Sequence, residues 1–270
     1  MIGDSLVATQ VPGGAVTYRG WGQYLNEYLP QGLTLVNSAL GGESSKSFYE
    51  FGHWARVAAR QSSHVLIQFG HNDTPISGVA RTTVPGTTYK AFLQRYIDET
   101  RAWGGIPVLV SPPPRRALKP DGSVDTMVIT NSPDSDLQLY RDAMQEVAVA
   151  NQVAFIDLFT FWKTLFEQVR LPGSVGWFDG KLHLFEPGAR MFSRFVAGEL
   201  LRQVPALRIR GNAPFLTAPV ATADTATASG TGNAIFIRVL DNDADGDGNA
   251  LRLVTVGVPT KGTAVAHGGV

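Results

Sequence analysis

Apolar residues along this chain come in short blocks of two kinds. His64-Val65-Leu66-Ile67-Gln68-Phe69 and Ile106-Pro107-Val108-Leu109-Val110 are compact runs, the first ended by Gly70 and the second followed closely by three prolines. Runs of that length, bounded by breakers, read as buried strands. Leu33 to Val36 and Val153 to Leu158 read the same way, and Met1-Ile2 is a scrap of another. Between the strands the apolar spacing changes. Tyr89, Phe92, Leu93, Tyr96 and Ile97 share one side of a helix predicted over Thr88 to Trp103, ended by Gly104-Gly105. Helical spacing also predicts helices over Gly20 to Tyr28, Ser45 to Ala59 (weakened by Gly52), Leu137 to Ala150 and Pro187 to Val204. Strand and helix in alternation predict an α/β protein with a parallel sheet covered on both faces. In such sheets, sites form beyond the carboxyl ends of the strands.

Composition narrows the class. The chain has 270 residues, 44% hydrophobic and 17% charged, which reads as globular. Lys+Arg and Asp+Glu are equal at 23 each, so no basic stripe points to nucleic acid or to a membrane surface. No apolar run is long enough to span a bilayer as a helix. With no cysteine, thiol catalysis, disulfides and thiolate metal sites are excluded. The first residues do not read as a signal peptide, and Ser5 stands too close to Met1 for a full first strand. The sequence is therefore expected to lack its N-terminal beginning.

Four polar clusters carry candidate chemistry. Gly3-Asp4-Ser5-Leu6 places a serine at a strand-to-loop corner, where Gly3 permits a tight turn. A serine hydroxyl needs a base to take its proton, so the corner predicts a histidine elsewhere. Asn37 to Ser44 contains Gly41-Gly42, whose N–H groups suit a developing oxyanion. Gly70-His71-Asn72-Asp73 offers the Asn72 amide as an uncharged donor. Asp179-Gly180-Lys181-Leu182-His183 puts a carboxylate shortly before an imidazole it can orient. Each cluster taken singly also fits an ordinary turn. Among the other histidines, His53 and His64 read as structural, His71 shapes its loop or lines the site, and His267 falls outside the domain.

Taken in order, these four motifs resemble the SGNH (GDSL) hydrolase family over about residues 1 to 204. Phe69 to Asp73, Asn37 to Phe48, and Pro107 to Pro112 ending in Arg115-Arg116 resemble rhamnogalacturonan acetylesterases and their relatives. The resemblance implies a three-layer α/β/α sandwich of flavodoxin-like type. It implies Ser5 as nucleophile, His183 as base and Asp179 as its orienter. The Ser5 N–H, the Gly42 N–H and the Asn72 side chain would form the oxyanion hole. Arg115, Arg116 and His71 are expected at the substrate, the arginines favouring uronate carboxylates. No metal or other cofactor is implied. The chemistry is acyl transfer through an acetyl-serine, with acetylated polysaccharide as partner. A short-chain esterase or lipase, and a non-catalytic adhesion protein keeping the fold, are the alternatives. In the family pattern the carboxylate stands three residues before the histidine. Here it stands four before, and Gly180 is expected to absorb the extra residue as a bulge.

After residue 204 the composition shifts. Residues 205–232 read as an Ala/Thr/Pro-rich linker and 233–270 as a partial β module. Ile235 to Val239 and Leu251 to Val256 are its predicted strands. The module resembles the cadherin-like, immunoglobulin-like repeats of bacterial surface proteins, which implies a larger, multidomain, extracellular parent. Asp241, Asp243, Asp245 and Gly246 resemble a calcium loop, but Arg252 stands where an EF-hand needs Glu, and a solvated acidic turn fits better.

Overall fold

The structure is a computed structural model that describes residues 1–10, 18–129, 132–209, 220–227, 235–243, 251, 253 and 256–265. Four parallel strands form its sheet in chain order: β1 (Ile2–Gly3), β2 (His64–Gln68), β3 (Ile106–Val110) and β4 (Ala154–Ile156). Ile2 pairs with Ile67, Leu66 with Val108, and Val110 with Ile156. Because right-handed crossovers step one way across this sheet, the connecting helices gather on one face. These are α1 (Ser45–Glu50), α2 (His53–Ala58), α3 (Lys90–Ala102) and α4 (Leu137–Asn151). The second face is covered by α5 (Leu158–Gly173), α6 (Glu186–Gln203) and two 3-10 turns at Trp21–Gln23 and Leu25–Tyr28.

Period-two alternation in the strands divides the core accordingly. Val65, Ile67 and Leu109 pack with Phe48, Trp54, Leu93, Tyr96 and Tyr140. Leu66, Val108 and Val110 pack with Trp21, Trp162, Phe166 and Phe192. Each such side chain, fully buried, contributes about 1.5–3 kcal/mol. The result is the α/β/α sandwich expected from the sequence.

Several local expectations are corrected. Gly20 to Tyr28 forms two 3-10 turns and no α-helix. The helix expected over Ser45 to Ala59 is two helices, broken where Gly52 takes φ +77°. Leu33 to Val36 forms no strand, and Val36 is exposed. The chain there nonetheless runs beside β1: Met1 N donates to Val36 O, Ser38 N to Met1 O and Leu40 N to Gly3 O. Helix α5 has no counterpart among the predicted elements. Residues 235–238 carry no strand, and their stretch lies against α6 and its approach: Phe236 meets Trp177 edge-on and Arg194 pairs with Asp241. Asp245, Gly246, Arg252 and His267 lie outside the described residues.

Candidate active site

Ser5 follows β1 directly. Gly3 is required there by close approach, since a Cβ would stand 2.7 Å from Gln68 O and 2.6 Å from Val7 Cγ2. The corner is braced by Asp4. Its Oδ1 accepts from Leu6 N at 2.9 Å, and its carbonyl accepts from Val7 N and Ala8 N. Asp4 is fully buried, and desolvation pushes its carboxyl up to about 7.

The Gly41-Gly42 loop closes over Ser5, and a Cβ on Gly41 would stand 3.7 Å from Ser5 Cβ. Asn72 is tied to this loop through Nδ2, which donates to Glu43 O at 3.1 Å. Asp73 does not cap the short 3-10 turn at Pro75–Ser77 just after it. It accepts instead from Ser45 N at the start of α1, from Ser45 Oγ, and from Thr83 Oγ1 at 3.0 Å. Burial raises its carboxyl to about 6. The two strand-end loops therefore share one buried polar network, which fixes Gly42 and Asn72 relative to each other.

The last cluster lies on a short antiparallel ribbon, β5 (Phe178–Asp179) and β6 (His183–Leu184). Asp179 and His183 are directly opposed partners, so their side chains project from the same face. The turn between them is made possible by Gly180, at φ +73°. His183 Nε2 stands 3.1 Å from Ser5 Oγ. The Tyr18 ring stacks on the imidazole, centroids 4.0 Å apart and planes at 16°. Burial holds His183 below the ordinary histidine range, the Asp179 charge pulls it back up, and Arg115 pushes it down.

Ser5, Gly41, Gly42, Asn72, Tyr18 and His183 all line one open cavity of about 490 Å³. The expected nucleophile, base and oxyanion donors thus share a single space. The expected substrate contacts do not join them there. His71 is 3% exposed, with burial and the Arg115 charge lowering it to about 3, so it is a neutral packing group under the loop. Arg116 is structural: Nε donates to Ser174 Oγ at 2.8 Å and Nη2 to Leu171 O at 2.7 Å. Arg115 is half-buried and acts on His71 and His183 through its field. Two side chains at the site were missed: Tyr18, and Arg81, whose Nη2 stands 4.0 Å from the point a Cβ on Gly42 would occupy. Tyr18 is separated from His183 by most of the chain, and no spacing rule joins them.

A hydroxyl within reach of an imidazole, at the carboxyl end of a parallel sheet and facing amide donors, is the equipment of a carboxylic ester hydrolase. Residues 1–191 match the GDSL-like Lipase/Acylhydrolase family, and the chain belongs to that family. It is 34% identical over 160 residues (58% of this chain, 68% of the relative) to "Probable rhamnogalacturonan acetylesterase YesY" of Bacillus subtilis (strain 168). It is also 34% identical over 169 residues (62% and 67%) to "Rhamnogalacturonan acetylesterase RhgT" of the same organism. Among solved structures it resembles the YXIM protein of Bacillus subtilis, with TM-score 0.62 and 24% identity, covering 75% of this chain. The chain spans only 55% of that protein's length. The acetylxylan esterase Axe2 of Geobacillus stearothermophilus gives TM-score 0.54 at 16% identity over 75% of this chain and 91% of that one. At these identities the two structures speak to the fold alone.

Proposed function

We propose that this hydrolase is a carbohydrate acetylesterase that removes acetyl groups from a pectic polysaccharide of the rhamnogalacturonan type. The observation that carries the reading is the 3.1 Å approach of Ser5 Oγ to His183 Nε2 in a cavity shared with Gly42 and Asn72. Two relatives named as rhamnogalacturonan acetylesterases support the substrate class.

In the proposed mechanism His183, neutral at the start, takes the Ser5 proton as Oγ attacks the acetyl carbonyl. Negative charge then collects on the carbonyl oxygen. The Ser5 N–H, the Gly42 N–H and Asn72 Nδ2 receive it. Collapse breaks the ester C–O bond, and the imidazolium returns its proton to the leaving sugar hydroxyl. Water, deprotonated by His183, then attacks the acetyl-serine carbonyl; collapse breaks the bond to Ser5 Oγ, the imidazolium returns its proton to Ser5 Oγ, and acetate leaves. Asp179 stabilises the imidazolium from the opposing strand. The proposal sets this work outside the cell, where such polymers occur; the resemblance of the C-terminal stretch to surface-protein repeats supports that setting.

The test is acetate release from acetylated pectic rhamnogalacturonan, acetylated xylan and 4-nitrophenyl acetate, comparing wild type with Ser5→Ala. Wild type is expected to favour the pectic polymer, and Ser5→Ala to release no acetate while keeping its circular dichroism. Substantial turnover by the folded variant removes Ser5 as nucleophile. A preference for xylan removes the pectic assignment and leaves the mechanism standing.

A further inference from the structure

Several arginines and lysines of this chain have a carboxylate partner. Arg141 meets Asp157, Arg190 meets Glu27 and Glu186, Arg194 meets Asp241, Arg202 meets Glu199, and Lys163 meets Glu167. Arg81, beside the candidate active site, is not one of them. Its Nη2 stands 4.0 Å from the point a Cβ on Gly42 would occupy. Its Nε is buried and bonds nothing, and among the described residues its side chain meets no carboxylate. The nearest loop acid in sequence to Gly42 is already engaged, since Glu43 accepts from Ser47 Oγ and faces His53. Arg81 is anchored from behind: its N–H donates to Gly78 O at 3.0 Å, while Thr82 Oγ1 and Thr83 Oγ1 hold the same loop to Gly78 and Asp73.

A permanently charged guanidinium with a buried, unsatisfied Nε is costly to keep unless an anion completes it. Its planar fork fits a carboxylate through two parallel hydrogen bonds. We infer that Arg81 is a specificity-determining residue that receives a substrate carboxylate next to Gly42, so that the enzyme reads a uronate residue adjoining the acetyl group it removes. This rests on the pectic reading above and moves anion recognition from Arg115 and Arg116 to a residue on a different loop. Arg116 is occupied by Ser174 and Leu171, and Arg115, whose Nε is likewise buried without a bond, acts on His71 and His183, whereas Arg81 stands beside Gly42 of the cavity lining.

The experiment compares one substrate in two charge states: acetylated rhamnogalacturonan oligosaccharide with free carboxylates, and the same oligosaccharide with its carboxylates methyl-esterified. The readout is the ratio of kcat/KM for the free acid over the ester, which cancels any general loss of activity. A hydrogen bond to a charged group is worth about 1.5–3 kcal/mol, so Arg81→Gln is expected to lower that ratio about 10- to 100-fold. The loss should sit mainly in KM. Arg81→Lys, which keeps the charge and loses the fork, should fall between. Raising the salt should erode the wild-type ratio and leave that of Arg81→Gln flat. An Arg81→Gln ratio equal to wild type overturns the inference and makes Arg81 an electrostatic aid to the ester transfer or a structural residue. Should wild type cleave 4-nitrophenyl acetate and neither oligosaccharide, the pectic reading fails. The Arg81 inference is then decided by inhibition of that reaction with unacetylated rhamnogalacturonan oligosaccharide. Inhibition at least tenfold weaker in Arg81→Gln supports it, and equal inhibition overturns it.

Discussion

Replacing Tyr18 should slow the reaction through the charge that His183 acquires. The phenol ring lies flat against the imidazole at 4.0 Å and 16°, and it is held there by Arg19 N, which donates to Leu184 O beside the histidine. In the proposed mechanism His183 takes the Ser5 proton and becomes a cation against an aromatic face. That attraction is worth about 0.5–1 kcal/mol at exposed sites and about 2 when desolvated. His183 is half-buried, so a value of about 1–2 kcal/mol applies, which converts to about 5- to 30-fold in kcat/KM. Tyr18→Leu keeps bulk over the imidazole and removes the π face, and it should show this loss. Tyr18→Phe keeps the face and should stay within about twofold of wild type on the same scale. Loss of the ring also favours the neutral imidazole, so the acid limb of the pH–kcat/KM profile should move to lower pH in the leucine variant. Steady-state hydrolysis of 4-nitrophenyl acetate across pH measures both. A leucine variant with wild-type kcat/KM and an unmoved limb refutes the stacking argument. So does a phenylalanine variant as damaged as the leucine one, since the hydroxyl would then be the operative group.

The remaining predictions concern the base and the oxyanion donors. The proposed mechanism requires neutral His183, so kcat/KM should fall on the acid side. Because burial holds His183 below the ordinary value near 6.5, the limb should lie below that value. Asp179→Asn removes a charge that raises His183 and should move the limb further acid while lowering kcat; Arg115→Ala removes a charge that lowers it and should move the limb the other way. A profile that is unmoved in both variants would detach these residues from the base. Asn72→Ala removes one of the proposed oxyanion donors and should lower kcat by about 10²–10³ with little change in KM. A loss below about threefold in a folded variant would take Asn72 out of the oxyanion hole.

The parts of the fold legible in the sequence were those in which one period dominates over a whole element. β2 and β3 are short apolar runs closed by glycine or proline, and α3, α4 and α6 bury regular stripes such as Phe92-Leu93-Tyr96-Ile97. The signal for α5 was present too. Leu158, Phe159, Phe161, Trp162, Leu165 and Phe166 follow helical spacing, and Asp157 caps them by accepting from Thr160 N. Its first residues run on from β4, so strand and helix share one apolar block. Gly20 to Tyr28 misled for the opposite reason. Trp21, Tyr24 and Leu25 are buried on a helical face, but Trp21 N is taken by Leu6 O and Trp21 Nε1 by Gln68. Ile235 to Val239 alternates as a strand should, but no neighbouring strand pairs with it among the described residues. Without a ladder partner its backbone gains nothing from the extended form; Phe236 settles against Trp177, while Ile235 and Ile237 stay exposed.

The site was legible where chemistry and chain order coincide, as at Ser5, Gly42, Asn72 and His183, and its finer geometry was set by pairing that a linear reading does not contain. Asp179 and His183 show the difference. Counted along the chain, four residues of separation is one too many for the family pattern, and a bulge is the natural remedy. In the structure the excess is taken up by a reversing turn with Gly180 at positive φ, and the two residues become cross-strand partners. Direct opposition in an antiparallel ribbon places both side chains on one face, whereas residues three apart across the same turn would not be opposed. Across this three-residue turn a spacing of four sets the carboxylate opposite the imidazole, and the Asp179 charge raises the basicity of His183. Arg81 lies at the far end of this scale. Nothing in Val79-Ala80-Arg81-Thr82 marks an arginine as special. What singles it out is its position beside Gly42, which arises only when the loops after β1 and β2 come together; the buried Nε with no bond it shares with Arg115.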